Sequence, residues 1–353
     1  MSGISPRSPS AFAAQKGHEN VVRALLAARA DKDKVNNKDA TALIIAAHNG
    51  HVDAIRELAE CGADVNQPDN NGVTPIFIAA QNGHVDAIRV LKELGADVTT
   101  PKNNGVTPIF IAAQNGHVDA IRVLKELGAD VNQPDNNGVN PVYIAAEKGH
   151  VDAIRALAEC GADVNQPDNN GVTPLYMAAQ NGHADAIREL AGFGADVTTP
   201  NNNGVTPLCI AACKGHVDAI RLLAQLGANV NKPDNNGVTP LNIAAQKGHV
   251  DAIRLLAQLR ADVNKPDNNG VTPLNIAAQN GHEAVVSALC KAGADKDKAN
   301  NQGTTALMYA SQNGHADVVR ALYVAGADKD TAQSIQPGMT LGIQTGHSPQ
   351  VQG

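Results

Sequence analysis

Apolar residues along this chain come in short bursts that return at a fixed interval. In the stretch 69–101, Ile76, Ile78, Ala79 and Ala80 give one small apolar surface. Val85, Ile88, Leu91 and Leu94 then recur every three residues. The first burst predicts a short helix over about 75–82. Thr74 offers a side-chain cap there, and Pro75 takes the first helical position, where no amide donor is missed. The second is the apolar stripe of a helix over about 84–94, with Asp86 in its first turn to suit the helix dipole. Gly83 and Gly95 are placed to end the two helices in a left-handed conformation. Asp69-Asn70-Asn71-Gly72 is turn chemistry, and its Asn-Gly favours a tight hairpin with positive φ.

This unit repeats. Gly-His ends at His18, His51, His84, His117, His150, His183, His216, His249, His282 and His315, each step being 33 residues. Ten of the twelve histidines lie on this ladder, so their spacing belongs to the unit rather than to any single site. Gly-x-Thr-Pro recurs at Gly72, Gly105, Gly171, Gly204, Gly237 and Gly270, with Asn140 replacing the threonine after Gly138. Residues 72–98 and 105–131 are identical, which points to a recent tandem duplication. A period of this size means a stacked array. A 33-residue unit is below the ~40 residues that fold alone without staples, so its stripes are buried only against neighbours.

The run Gly270-Val271-Thr272-Pro273-Leu274-Asn275-Ile276-Ala277-Ala278-Gln279-Asn280-Gly281-His282, with the Gly-Ala-Asp-Val-Asn type of exit that ends at Asn66, resembles the ankyrin repeat. The resemblance runs from about residue 8 to about 330. It implies an all-α, gently curved solenoid of helix-turn-helix units with β-hairpin fingers on one side. It also implies a protein–protein interaction scaffold without enzymatic activity or cofactor. The expected organisation is a disordered lead-in at 1–7, an array at 8–332 with capping repeats at about 8–35 and 300–332, and a degenerate partial repeat or frayed tail at 333–353. Ser5-Pro6-Arg7-Ser8-Pro9 reads as part of the lead-in. The resemblance further marks Asn66, Asn132, Asn165, Asn231 and Asn264 as matching the place that asparaginyl hydroxylases modify.

Composition narrows the choices. The chain has 353 residues, 2% aromatics, no Trp and a formal charge of −7. A large aromatic-lined pocket and a generally basic nucleic-acid binder are both disfavoured. Apolar runs such as 42–47 fall far short of the ~20 residues that span a bilayer, and the first thirty residues show no basic-then-apolar leader. Five cysteines without framework spacing fit a reducing compartment, cytoplasmic or nuclear.

Candidate chemistry is weak. Histidines one unit apart sit ~8–10 Å from each other, too far to share a zinc ion, and a turn histidine bonded to backbone between the helices is the plainer reading. Cys209, Cys213 and His216 lack a fourth ligand; the two cysteines read as small, half-buried thiols and His216 as the ladder histidine. Each Pro-Asp-Asn-Asn-Gly loop brings one acid, such as Asp135 or Asp168, where calcium wants several. Asp and Arg three apart, at Asp53/Arg56, Asp119/Arg122, Asp218/Arg221 and Asp251/Arg254, read as solvated pairs or as a charged docking stripe.

Phe77, Phe110, Tyr143 and Tyr176 share one place in successive units, followed by Cys209, Asn242 and Asn275, where the family usually has histidine. They form either an aromatic ladder between first helices or a graded strip at the edge of the concave face. In this family the hairpin tips and the exposed side of the first helix usually contact partners. Carried over, that surface is Asn103, Asn104, Asn136 and Asn137 at the tips. Along the helices it is Gln114, Asn115, Tyr143, Glu147, Lys148, Tyr176, Gln180, Asn181, Lys214, Gln246 and Lys247. The expected function is a scaffold or adaptor that is itself monomeric and binds a protein partner, not nucleic acid or a membrane interior. The alternative is an elastic or structural spacer.

Overall fold

The computed structural model describes residues 8–36 and 39–328. Twenty helices in ten pairs fill them, with no strand among the described residues. The lead-in at 1–7 and the partial repeat at 333–353 lie outside that range. Each unit has an inner helix of seven or eight residues, such as Pro75–Gln81, and an outer helix of nine, such as Val85–Glu93. Helices in close contact belong to one unit or hold the same place in adjacent units. The array is therefore a linear stack, with its apolar core running through the seams between units.

Local chemistry sets each helix as expected. Thr74 Oγ1 accepts the Phe77 amide at 3.3 Å, and Thr107, Thr173, Thr206, Thr239 and Thr272 do the same in their units. Asn140 keeps the function of the threonine it replaces, its Oδ1 accepting the Tyr143 amide at 2.7 Å. Ser8 and Pro9 are not lead-in: Ser8 caps the first inner helix, Pro9–Gln15, as Thr-Pro does elsewhere. The fingers are tight turns without a strand ladder. Gly72 N–H donates to Asp69 O at 2.9 Å and Asp69 N–H to Val73 O at 3.0 Å. Positive φ falls on Gly72 (+81°) alone, so Asn71 is spared the left-handed strain of a two-residue hairpin.

Three sets of hydrogen bonds fasten each unit to the next. First, the ladder histidine donates through Nε2–H to a carbonyl of the preceding inner helix, as His117 does to Gln81 O at 3.0 Å. Nine of the ten ladder histidines, His51 to His315, repeat this bond. The expected backbone partner is thus in the neighbouring unit, not between helices of the histidine's own. The ring lies over Gly83 (φ +72°), where an added Cβ would come within 2.8 Å of His117 Nδ1. Glycine is needed there for both the turn and the neighbour's ring.

Second, the tips are joined in series. Asn103 N–H donates to Asn71 O at 3.1 Å, and the same bond recurs at Asn136, Asn169, Asn202, Asn235, Asn268 and Asn301. Third, the exit asparagine clamps the following loop: Asn66 Nδ2 donates to Gly95 O (3.3 Å) and its Oδ1 accepts the Asp97 amide (2.9 Å). Asn132, Asn165, Asn231 and Asn264 form the same clamp. Thr99 and Thr198 occupy this place in two units and turn inward instead, bonding to Asp97 and Asp196. Those bonds hold both carboxyls below the usual carboxylate range.

Arg29 and Arg260 sit where most outer helices end on glycine, and both are left-handed, at φ +65° and +63°. Arg260→Gly should relieve strain and stabilise the array by about 0.5–1 kcal/mol. An unchanged or lower urea midpoint would count against that assignment. Thr198→Asn should complete a missing clamp and add roughly 0.5–1.5 kcal/mol. Hydrogen exchange checks this at the Asn229 amide, which should slow in the variant and not in Thr198→Ser.

Candidate functional site

The expected partner surface divides into residues that hold the stack and residues left over. Each inner helix places three side chains on one side, three and four residues apart, as Ile78, Gln81 and Asn82 are. Asn115 Nδ2 donates to Gln81 O at 2.8 Å, and Asn181 Nδ2 to Glu147 O at 3.1 Å. These two amides are therefore committed to the preceding unit's helix end. Gln114, Gln180 and Gln246 lend only backbone carbonyls to the histidine ladder, and their side chains make no hydrogen bond among the described residues. Glu147 and Lys148 pair with each other at 2.7 Å. Lys214 and Lys247 are exposed and make no ion pair among the described residues.

At the fingers, Asn103 is spent: its backbone amide bonds Asn71 O, and its Nδ2 donates to Asn70 O at 3.1 Å. Asn136 gives its backbone amide to Asn104 O. Asn104 and Asn137 are exposed at the outermost point of their turns. Each tip aspartate is occupied by its own loop, as Asp135 Oδ1 is by the Asn137 and Val139 amides at 2.8 and 3.0 Å. This carboxylate acts as turn chemistry. Among the described residues, no three His, Cys, Asp or Glu side chains are placed to hold a metal ion.

Tyr143 and Tyr176, expected on the partner surface, are buried instead. They are 6% and 5% exposed, and Phe77 and Phe110 are buried like them. The aromatic ladder packs between inner helices, and the graded strip is a gradient within the core, not on a face. Burial pushes both phenols above their ordinary range, and Tyr143 keeps a long contact with Asp168 Oδ2 at 3.5 Å. Further along, Asn242 and Asn275 are buried in the same place. Asn242 Oδ1 accepts the Thr239 amide at 3.1 Å while its Nδ2 reaches Val271 O of the next unit at 3.3 Å. Cys209 is buried as well, which raises its thiol above the ordinary range. All five cysteines are free thiols.

The outer helices carry a feature that spacing within one unit does not reveal. Arg56 reaches Glu93 of the next unit at 2.9 Å rather than Asp53. Arg89–Glu126 (3.0 Å), Arg122–Glu159 (3.4 Å) and Arg155–Glu189 (2.8 Å) continue the line, which Arg23–Glu57 begins. Beyond Arg155 the carboxylates give way to Leu222, Gln225, Leu255 and Gln258. Of the expected pairs within a helix, Asp119–Arg122 (4.0 Å) and Asp251–Arg254 (3.1 Å) form, and Arg221 makes no ion pair among the described residues. A shallow groove opens on this side between Glu283–Lys291 and Ala316–Val324, where Ser287 stands in place of the arginine.

A family model described as ankyrin repeats (3 copies) matches residues 10–102, 96–168, 128–200, 175–267, 231–300 and 259–333, which together cover the array. The chain belongs to the ankyrin-repeat family. Ankyrin repeats are in general protein-interaction modules and typically non-enzymatic. A comparison with curated proteins gives no match. No described helix of this ankyrin-repeat chain is long and apolar enough to cross a membrane.

The buried tyrosines give a direct check. Tyr176→Ala should cost about 3–5 kcal/mol by leaving a cavity between inner helices. Tyr143→Phe should cost little, because only the long Asp168 contact is lost. Urea denaturation measures both, and a cheap Tyr176→Ala would mean the ring is dispensable to the stack.

Proposed function

We propose that this ankyrin-repeat array is a protein-binding scaffold or adaptor that takes its partner on the concave, inner-helix face and the finger tips. The observation that carries this reading is the division of labour just described. Backbone groups, histidines and half of the asparagines are consumed by the stack. A periodic row of Gln114, Gln180, Gln246, Lys214 and Lys247 is left with hydrogen-bonding capacity and no internal use. Such a row suits a polar interface with a few anchors. Any catalytic activity in the assembly then belongs to the partner. The net charge of −7 disfavours nucleic acid. Five free thiols favour a reducing compartment, cytoplasmic or nuclear.

The competing reading is a spacer, favoured by the regular fastening of successive units. Crosslinking and pull-down separate the two. Wild-type chain should capture discrete proteins that the triple variant Gln114→Ala/Gln180→Ala/Gln246→Ala loses, with its urea midpoint unchanged. A chain that captures nothing, or captures the same proteins with and without the three amides, favours the spacer.

A further inference from the structure

Apart from Lys16 in the first unit, unpaired positive charge on the inner-helix face lies in two adjacent units. Lys214 and Lys247 hold the same place 33 residues apart, both are exposed, and neither makes a hydrogen bond or an ion pair among the described residues. Lys148, in the same place two units before Lys214, is neutralised by Glu147 at 2.7 Å. The side chains preceding the two lysines are Cys213 and Gln246, so no acid answers them from their own helices. Acids nearby on other elements are otherwise engaged or set apart. Asp251 is held by Arg254 at 3.1 Å. Asp218 stands in the first turn of the following outer helix without an ion pair to Lys214. Asp234 and Asp267, at the tips, lie at the opposite end of the inner helices, and each accepts two amides of its own loop.

The surface beside these lysines also differs from the first half of the array. Ile78, Ile111, Ile144 and Ile210 are buried, whereas their counterparts Met177, Ile243 and Ile276 are only half-buried. Ile243 precedes Gln246 and Lys247 by three and four residues, so all three share one side of the helix. The result is aliphatic surface at Ile243 and Ile276, in the unit of Lys247 and the next, edged by amides and by the two cations.

Stacked helices repeat at ~8–10 Å. A polyproline II segment has three residues per turn and rises ~3.1 Å per residue, so every third side chain returns to one side after ~9 Å. The two repeats agree. We propose that the inner-helix face from Met177 to Ile276 binds a proline-rich, acidic segment of a partner protein in polyproline II form. Carboxylates three residues apart sit on Lys214 and Lys247, and residues after the first of them pass over Ile243 and then Ile276. This rests on the scaffold reading and names the partner chemistry for it.

The test uses the full chain and a fluorescent peptide of four Glu-Pro-Pro triplets, followed by anisotropy. The peptide should bind, and rising salt should weaken it. Its Gln-Pro-Pro counterpart, and an alternating Glu-Pro peptide that breaks the three-residue spacing, should each bind about tenfold more weakly. Lys214→Glu/Lys247→Glu, checked for unchanged circular dichroism and urea midpoint, should lose the acidic peptide and gain affinity for Lys-Pro-Pro triplets. Equal binding of the Glu and Gln peptides, no binding of the Glu peptide, or indifference to the double charge reversal overturns the proposal. Cellular partners lost with the glutamine variants but retained by the lysine reversal would leave the scaffold reading standing and remove this one.

Discussion

No unit of this chain encloses a core of its own, and the rest of the structure follows from that. Inner helices of seven or eight residues are too short to be stable in isolation. Each has one apolar side against its outer helix and two more against the flanking units. The most buried positions, Ile76, Ile88, Leu91 and their counterparts, lie where neighbouring units meet. Polar chemistry is recruited to the same seams: the histidine–carbonyl bond, the tip-to-tip amide and the asparagine clamp all cross from one unit to the next. Surface residues become available for binding only after these demands are met.

Much of the fold was legible in the sequence, because its signals are local. Thr-Pro, Gly-His and the three-residue apolar spacing set both helices to within a residue or two of their observed ends, and the left-handed Arg29 and Arg260 follow from register alone. The binding surface was less legible. Tyr143 and Tyr176 resembled an exposed edge because a short helix has few positions and its pattern does not say which side meets a neighbour. Asn115 and Asn181 looked free because their acceptors, Gln81 O and Glu147 O, lie 34 residues earlier. The Arg–Glu line escaped for the same reason: a partner 34 or 37 residues away is invisible to a search at helical spacing. Comparing each position with the unit on either side, rather than within its own helix, was the signal that would have found all three.

The array is also not uniform along its length. Its first half joins units through aromatic rings on the inner side and Arg–Glu pairs on the outer side. Its second half uses buried asparagines such as Asn275, which bonds Thr272, Lys298 and Thr304, and lysines such as Lys265, whose Nζ reaches Asn231 O at 3.1 Å. Exposed ion pairs contribute little each, ~0–1 kcal/mol, whereas a buried amide left without partners is costly. The second half therefore has less tolerance for a mismatched neighbour.

The histidine–carbonyl bond always points backward, from one module to its predecessor, over a fixed 36 residues. A copied stretch of 33 residues thus arrives with its own donor and its own acceptor, and inserting or deleting one leaves no orphan at the join. Genetic slippage can change the length of this protein while keeping this bond intact at the join. Reach becomes a quantity that selection can adjust separately from stability, and the verbatim copy at 72–98 and 105–131 is what such an adjustment leaves behind.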